Sequence, residues 1–440
     1  MEATSSGNTY WQRLREGFLP PALPPLSRRA FRFQMAFTLL YAVFEGIMGN
    51  APLIAVKAMD ASDVQLQMPL AMASIGLFVS ALLGVVMARR RKKAFVVVPG
   101  MAGALAAMTM SAMPRAEGFL FMAGIVSICD FAMRPAVPSV MRIVYPAHCR
   151  SRVSGAMRQY GSIAFLAATL LSATALSRPG TLGVPRLIRI EMLVAAASCA
   201  AAFLCFSQLP DHGDGSEAEA EAVDDPKVSW ERAALKPWRD RRFLGYLAAI
   251  FVFSFANLFH QGVIPSYFAR DLRLGYVQTT LLIHVIPNLT AFFAGGFLTS
   301  WFERTSVWRS YSLVTLLWGL DPLIIATAAF SWPALILARS LRGPATLGSM
   351  VIAFFTGVHS FARPGSDTSR YMSAQFVVNG VARLVAPVAA GFALAFLTRR
   401  SIILCGSLGI LASSAMFWWY EKRTPVTVAG AASELAGENA

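Results

Sequence analysis

The chain has 440 residues, of which 56% are hydrophobic and only 14% charged, and its mean hydropathy is +0.53. That composition excludes both an ordinary water-soluble globule and a disordered chain, so lipid must surround much of the molecule. The formal net charge of +15 raises nucleic acid as a partner, and the position of the cations along the chain decides the matter.

A membrane-crossing helix needs about 20 mostly apolar residues, because about 1.5 Å of rise per residue must cover about 30 Å of hydrocarbon. Twelve such stretches follow in chain order, over 33–56, 68–88, 94–113, 118–141, 154–176, 187–208, 243–268, 275–300, 307–329, 331–358, 372–398 and 401–420. The first lies behind a polar, proline-bearing start (LPPALPPL). It is too long for the core of a signal peptide and has no small-residue cleavage site behind it, so it reads as a permanent span.

Basic runs punctuate alternate connections: RRRKK at 89–93, Arg150 and Arg152, and WERAALKPWRDRRF at 230–243. The remaining loops hold scattered single cations. This asymmetry predicts that both termini are cytoplasmic, in a bacterial inner membrane. The basicity then reports topology and contact with anionic lipid headgroups, and nucleic acid is not expected as a partner. The cysteines at 129, 149, 199, 205 and 405 show no paired or metal-ligand spacing, and the five histidines are scattered. No disulfide framework, metal site or cofactor is expected.

The organisation predicted is a cytoplasmic segment over 1–30, a six-span lobe over 31–208, a linker over 209–242, a second six-span lobe over 243–421 and a disordered cytoplasmic tail over 422–440. The linker opens acidic and low in complexity (LPDHGDGSEAEAEAVDDPKVS), then turns basic and amphipathic, as a helix lying on the inner membrane surface would. Corresponding spans of the two lobes also match. Gly49-Asn-Ala-Pro52 near the outer end of the first span parallels Gly262-Val-Ile-Pro265 in the seventh. Ser154-Gly155 followed by Gly161 parallels Ser373-Ala374 followed by Gly380. Both pairs fall in the register of a parallel repeat of six spans.

Two stretches add a family resemblance. Between the second and third spans lies GVVMARRRKK (84–93), to be compared with the pattern Gly-x-Leu-x-Asp-Arg-x-Gly-Arg-Arg. Gly84, Arg89, Lys92 and Lys93 match it, while Ala88 stands where the pattern has aspartate and Arg91 where it has glycine. With twelve spans split six and six by a long linker, the chain resembles the major facilitator superfamily over roughly residues 30–420. The resemblance implies an all-α polytopic membrane protein with two six-helix lobes. Helices 1, 4, 7 and 10 then line a central cavity, 2, 5, 8 and 11 form the lobe interface, and 3, 6, 9 and 12 face lipid. It also implies that Gly84, Arg89, Lys92 and Lys93 form a gating loop, whose lock on the opposing lobe is altered by Ala88. A second family pattern, Arg-x-x-Gln-Gly early in helix four, is absent at Ala123, Val126 and Ser127, with a looser echo in helix ten as Arg339-Ser-Leu-Arg-Gly343.

Ionisable groups within the bilayer cost about 2.5–3.5 kcal/mol each on insertion scales, so each one asks for a reason. The set is Glu45, Asp130, Arg134, Asp321, Arg339, Arg342 and Arg383, with His260, His284 and Asn288 beside them. Glu45 falls near the midplane of a cavity-lining helix, where a carboxylate without a fixed partner can bind and release a proton. Asp130 and Arg134 lie four residues apart on one helix face. They form either a structural pair, whose breaking costs about 3–5 kcal/mol when buried, or a titrating acid beside an anion-binding base. Three arginines in the second lobe, Arg339, Arg342 and Arg383, outnumber the one nearby aspartate, Asp321, so an anionic solute can complete the balance. Asn257 and His260 near the outer end of the seventh span can hydrogen-bond a solute.

The function expected is secondary active transport by alternating access of a small organic solute, which the arginine excess allows to be anionic. Protons are the coupling ion, Glu45 and Asp130 the coupling candidates, and Arg134, Asn257, His260, Arg339, Arg342 and Arg383 the substrate-binding candidates. No phosphate-binding loop points to ATP and no enzyme activity is expected. The alternatives are a transporter-fold sensor or scaffold, and a polytopic membrane transferase, which would need a nucleophile or metal cluster near one interface.

Overall fold

A computed structural model describes residues 23, 25–87, 92–134, 136–210, 237–302, 304–328, 330–351, 361 and 368–423. Among these the regular structure is helical throughout. The first lobe contains α1 (Pro25–Gly49), α2 (Ala51–Ala58), α3 (Asp63–Met87), α4 (Ala94–Met110), α5 (Ala116–Met133), α6 (Ala136–Val144), α7 (Ala147–Ser177) and α8 (Val184–Ser207). The second contains α9 (Arg241–Gln261), α10 (Ile264–Ser266), α11 (Tyr276–Thr280), α12 (Ile286–Phe302), α13 (Val307–Ala328), α14 (Trp332–Val351), α15 (Thr368–Ala393) and α16 (Arg399–Arg423). Among the described residues nine helical segments are long and apolar enough to cross a membrane, and α3, α4 and α14 stand where the sequence reading expects the other three. Most of the predicted N-terminal segment, linker and tail lies outside the described residues, as does Arg89 in the predicted gating loop.

The two lobes repeat one packing scheme. In the first, α1 packs on α7 and α8, α3 on α5, and α4 on α5 and α8. In the second, α9 packs on α15 and α16, α12 on α14, and α13 on α14 and α16. Counted by span, each contact in one lobe has its counterpart six spans later. The paired Gly-x-x-Pro stretches fall at the same point of that scheme. The first span breaks at Gly49 and restarts at Ala51 with Pro52 in its first turn, and the seventh breaks at Gly262 and restarts at Ile264 with Pro265. Proline fits a helix's first turn because the amide it lacks would have no intrahelical partner there.

Packing between spans relies on small residues, because lipid supplies no hydrophobic drive to join one helix to another. A β-carbon at Gly343 would collide with the carbonyl oxygen of Pro287, so glycine lets α14 lie against α12. This accounts for the glycine in the Arg339–Gly343 stretch. Aromatic clusters complete each lobe, Phe37 with Phe203 and Phe206 in the first, and Tyr246 with Trp308, Tyr311 and Phe417 in the second. The second lobe starts on a side-chain cap, where Asp240 Oδ1 accepts from the amides of Arg242 at 2.9 Å and Phe243 at 3.2 Å.

The fourth span, read from sequence over 118–141, runs over Ala116–Met141, with α5 (Ala116–Met133) and α6 (Ala136–Val144) on either side of residue 135, which lies outside the described residues.

The lobes meet where α3 lies along α15 and where α11 lies on α7. A group of ion pairs joins them at the face away from the chain ends. Arg270 Nη2 reaches Asp60 Oδ1 at 2.6 Å and the Ala61 carbonyl at 2.8 Å, while Arg399 Nε reaches Asp63 Oδ2 at 2.7 Å and its Nη1 reaches Asp271 at 3.2 Å. Asp60 takes a left-handed conformation (φ 50°), which aspartate tolerates better than most residues, and it turns the carboxylate toward Arg270.

Candidate functional site

Two adjoining chambers lie between the lobes. One, of about 610 Å³, is walled mainly by α1, α5 and α7; the other, of about 460 Å³, by the ends of α1 and α9 together with α3, α12 and α14. Gly49, Arg158, His284 and Asn288 line both, so the chambers share one wall.

Glu45 lines the larger chamber and is exposed to it. Among the described residues its side chain makes no hydrogen bond or ion pair. One turn earlier on the same face of α1, the Tyr41 hydroxyl donates to Asp130 Oδ1 at 2.8 Å. Asp130 Oδ2 in turn accepts from Arg134 Nη2 at 2.6 Å and Nε at 3.1 Å. The four residues therefore form one polar strip across α1 and α5: an unpaired acid, a phenol, a paired acid and its base.

The Asp130–Arg134 pair expected from the four-residue spacing is present, but it is not sealed away. The Arg134 side chain is 51% exposed and that of Asp130 20%. Arg134 also lies over the Phe131 ring at 4.0 Å, and Arg383 from α15 approaches the same ring at 4.8 Å. Solvent-screened pairs contribute about 0–1 kcal/mol, well below the figure for a buried pair. Asp130→Asn and Arg134→Gln are each expected to lower thermal stability by no more than about 1 kcal/mol. Thermal unfolding in detergent checks this, and a loss several times larger in either variant contradicts it.

In the second lobe the arginine excess resolves into two environments. Asp321, fully buried on α13, accepts from Arg339 Nη1 at 2.8 and 3.0 Å, and Arg339 Nε donates to the Leu282 carbonyl at 2.7 Å. Arg342 stands farther from the same carboxylate, at 3.8 Å, and is held by the Trp318 ring at 4.0 Å and by Asn257 Oδ1 at 3.3 Å. Among the described residues its Nη1 is buried without a hydrogen bond. Arg339 and Arg342 both line the smaller chamber, so one carboxylate serves two guanidinium groups there.

The other predicted site residues fall elsewhere. His260 is fully buried between α9 and α16, against Gly406, with Nδ1 2.9 Å from the Ala256 carbonyl; it lines neither chamber. Asn257 accepts from Trp318 Nε1 at 2.8 Å as well as from Arg342, and so orients cavity groups from behind. Arg383 lies at the lobe interface against Phe131, outside both chambers. In the predicted gating loop, Gly84 lies within α3, Lys92 just precedes α4, and Lys93 Nζ donates to the Leu209 carbonyl at 2.7 Å, beyond the end of α8. Sequence reading missed Arg158 and Tyr41. Arg158 lies exposed on α7 where both chambers meet, one turn before Gly161 and Ser162 on the same wall; that i, i+3, i+4 spacing with small residues was the available signal.

The family model described as Major Facilitator Superfamily matches residues 36–321. No curated protein sequence matches the chain. Among solved structures, the nucleoside transporter NupG is similar at 14% identity and a TM-score of 0.66, over 91% of this chain and 100% of that one. A POT family transporter in complex with a thioalcohol conjugated peptide is similar at 12% identity and 0.67, over 90% and 96%. An inward-facing, unoccupied bacterial homolog of the human lysosomal transporter Spinster is similar at 12% and 0.63, over 90% and 97%. At such identities the likeness is one of fold.

Proposed function

Because the chain belongs to the major facilitator superfamily, we propose that it is a secondary active transporter that moves a small organic anion by alternating access, coupled to protons. The observation that carries this reading is the shared wall of the two chambers. An unpaired carboxyl group, Glu45, and an exposed guanidinium, Arg158, face one cavity, and the incompletely paired Arg342 closes the adjoining one. Charged groups in a low-dielectric cavity are costly alone and favourable when a ligand of opposite sign completes them.

The chemistry follows from the positions. Arg158 in the first lobe and Arg342 in the second hold the anionic group, so a bound solute touches both lobes and favours their closure around it. Asn288 adds a polar contact where the chambers meet, and Leu53, Leu66, Pro69, Ile264 and Leu347 provide apolar wall for the rest of the solute. Glu45 binds a proton on one side and releases it on the other, and Tyr41 relays its state to Asp130 and Arg134. With the termini in the cytoplasm, as the charge asymmetry implies, the ion pairs of Arg270 and Arg399 seal the outer face. Peptides and nucleosides, named for the structural neighbours, are amphipathic solutes of the size this cavity suits.

Uptake into proteoliposomes containing the full chain tests the reading, with a panel of labelled carboxylated, phosphorylated and neutral solutes and an imposed pH gradient. Accumulation of an anionic solute only when the gradient is present is expected. Arg158→Gln should raise KM for that solute by about tenfold or more, since a hydrogen bond to a charged group contributes about 1.5–3 kcal/mol. Preference for neutral solutes, or uptake indifferent to the gradient, overturns the anion or the proton part respectively.

A further inference from the structure

A second carboxyl group lies deep in the first lobe, away from Glu45 and Asp130. Glu191 on α8 is 7% exposed, and among the described residues no cation stands within ion-pair range of it. Its Oε2 accepts a hydrogen bond from Ser172 Oγ at 2.9 Å, while its Oε1 is buried with no hydrogen-bond partner among the described residues. The chain of hydrogen bonds continues from there. Ser172 Oγ accepts from Asn50 Nδ2 at 3.1 Å, and Asn50 Oδ1 accepts from the Thr280 hydroxyl at 2.9 Å. Thr280 belongs to α11 in the other lobe. Asn50 stands at the break between α1 and α2, and its neighbour Gly49 offers its carbonyl to His284 Nε2 of the second lobe at 3.0 Å. A directional line of donors thus runs from one lobe, across the interface, to a buried acid in the other.

We propose that Glu191 is a proton-binding site that couples to the closure of the lobes on the face away from the chain ends, filled when they are closed and vacated when they part. The inference rests on the alternating-access reading above and is independent of the solute. In the closed arrangement a charged carboxylate at Glu191 would be buried with one oxygen unsatisfied and no countercharge, whereas the neutral acid carries no such penalty. Parting the lobes breaks the Thr280–Asn50 bond and admits water to Asn50 and Ser172, which then solvates the ionised form. Linkage is reciprocal: if closure favours the proton, the proton favours closure.

The other ionisable groups around this line give distinguishable signals. Lys57 of α2 lies 5.0 Å over the ring of Tyr276 of α11, and Arg186 and Arg189 share α8 with Glu191. Arg178 ends α7. At the same face Asp60, Asp63 and Asp271 are held by Arg270 and Arg399. Protonating Asp60 or Asp63 weakens inter-lobe ion pairs and opens the face, the opposite sign to protonating Glu191, while the Asp271–Arg399 pair lies within the second lobe. His284 becomes cationic on protonation and can then only donate to Gly49, which makes it the rival whose sign agrees.

Spin labels at Leu182 and Thr398, exposed positions on the two lobes at this face, report its opening in the full chain with its native cysteines replaced. Between pH 9 and pH 5 the inter-label distance is expected to shorten. Glu191→Gln, a fixed mimic of the protonated acid, should hold it short at every pH. Thr280→Val keeps the acid but removes the inter-lobe bond, and should move the midpoint down by about one pH unit, a tenfold change in the closure equilibrium. A wild-type distance that ignores pH overturns the proposal even where transport is proton-driven. A profile kept in Glu191→Gln and lost in His284→Gln overturns it in favour of the histidine.

Discussion

Replacing Asp321 by alanine is expected to destabilise the protein by about 3–5 kcal/mol, more than any other single polar substitution proposed above. Two guanidinium groups depend on that one fully buried carboxylate, Arg339 through two hydrogen bonds at 2.8 and 3.0 Å and Arg342 at 3.8 Å. Removing the acid leaves both cations in a site that, among the described residues, the Leu282 carbonyl, Asn257 and the Trp318 ring still satisfy. Arg339→Leu should cost less, because Asp321 then keeps Arg342 as a partner. The double variant Asp321→Leu with Arg339→Leu should recover part of the loss, since replacing a buried pair by apolar groups is near neutral while breaking it is not. Membrane yield and thermal unfolding measure all three. An Asp321→Ala protein as abundant and as thermostable as the wild type would show that water or lipid headgroups already compensate the arginines.

Glu45→Gln is expected to abolish accumulation against a solute gradient, at least a tenfold loss, while exchange down the gradient persists and the protein stays folded. The amide is nearly isosteric with the acid and cannot bind a proton. Glu45 is exposed to the larger chamber and has no bonded partner among the described residues, so its loss removes no contact seen there. Uptake with and without an imposed pH gradient separates the two outcomes. Undiminished gradient-driven accumulation would take Glu45 out of the coupling and leave Asp130, whose carboxylate is engaged by Tyr41 and Arg134, as the remaining acid on that wall.

The contrast between Asp130 and Asp321 shows why pairing was legible in sequence and its consequence was not. Four residues on one helix bring Asp130 and Arg134 together whatever surrounds them, so the spacing sufficed. How much breaking that pair costs depends on burial, and Arg134 proves half exposed beside Phe131. For the three arginines of the second lobe the charge imbalance was visible. Only packing could divide them into a bonded pair member, a cavity group and an interface group. His260 shows the opposite failure: a histidine near the outer end of a cavity helix looked available, but the close approach allowed by Gly406 turned it into the core between α9 and α16.

Composition and order along the chain determined what lipid demands of any sequence. Runs of about 20 apolar residues must cross as helices because unpaired backbone groups cannot survive in hydrocarbon, and the cations outside those runs set a topology. The two Gly-x-x-Pro breaks marked the repeat for the same local reason, since proline's missing amide is tolerated best at a helix start. Contacts between distant spans were beyond that reach. Sequence reading singled out neither Arg158 nor Glu191. Their surroundings depend on which helix faces meet across more than a hundred positions of chain, as Asn50 meets Thr280. Helix rotation and lobe closure decide that. They are set by the sum of many small packing contacts along whole spans, and no short stretch of sequence contains that sum.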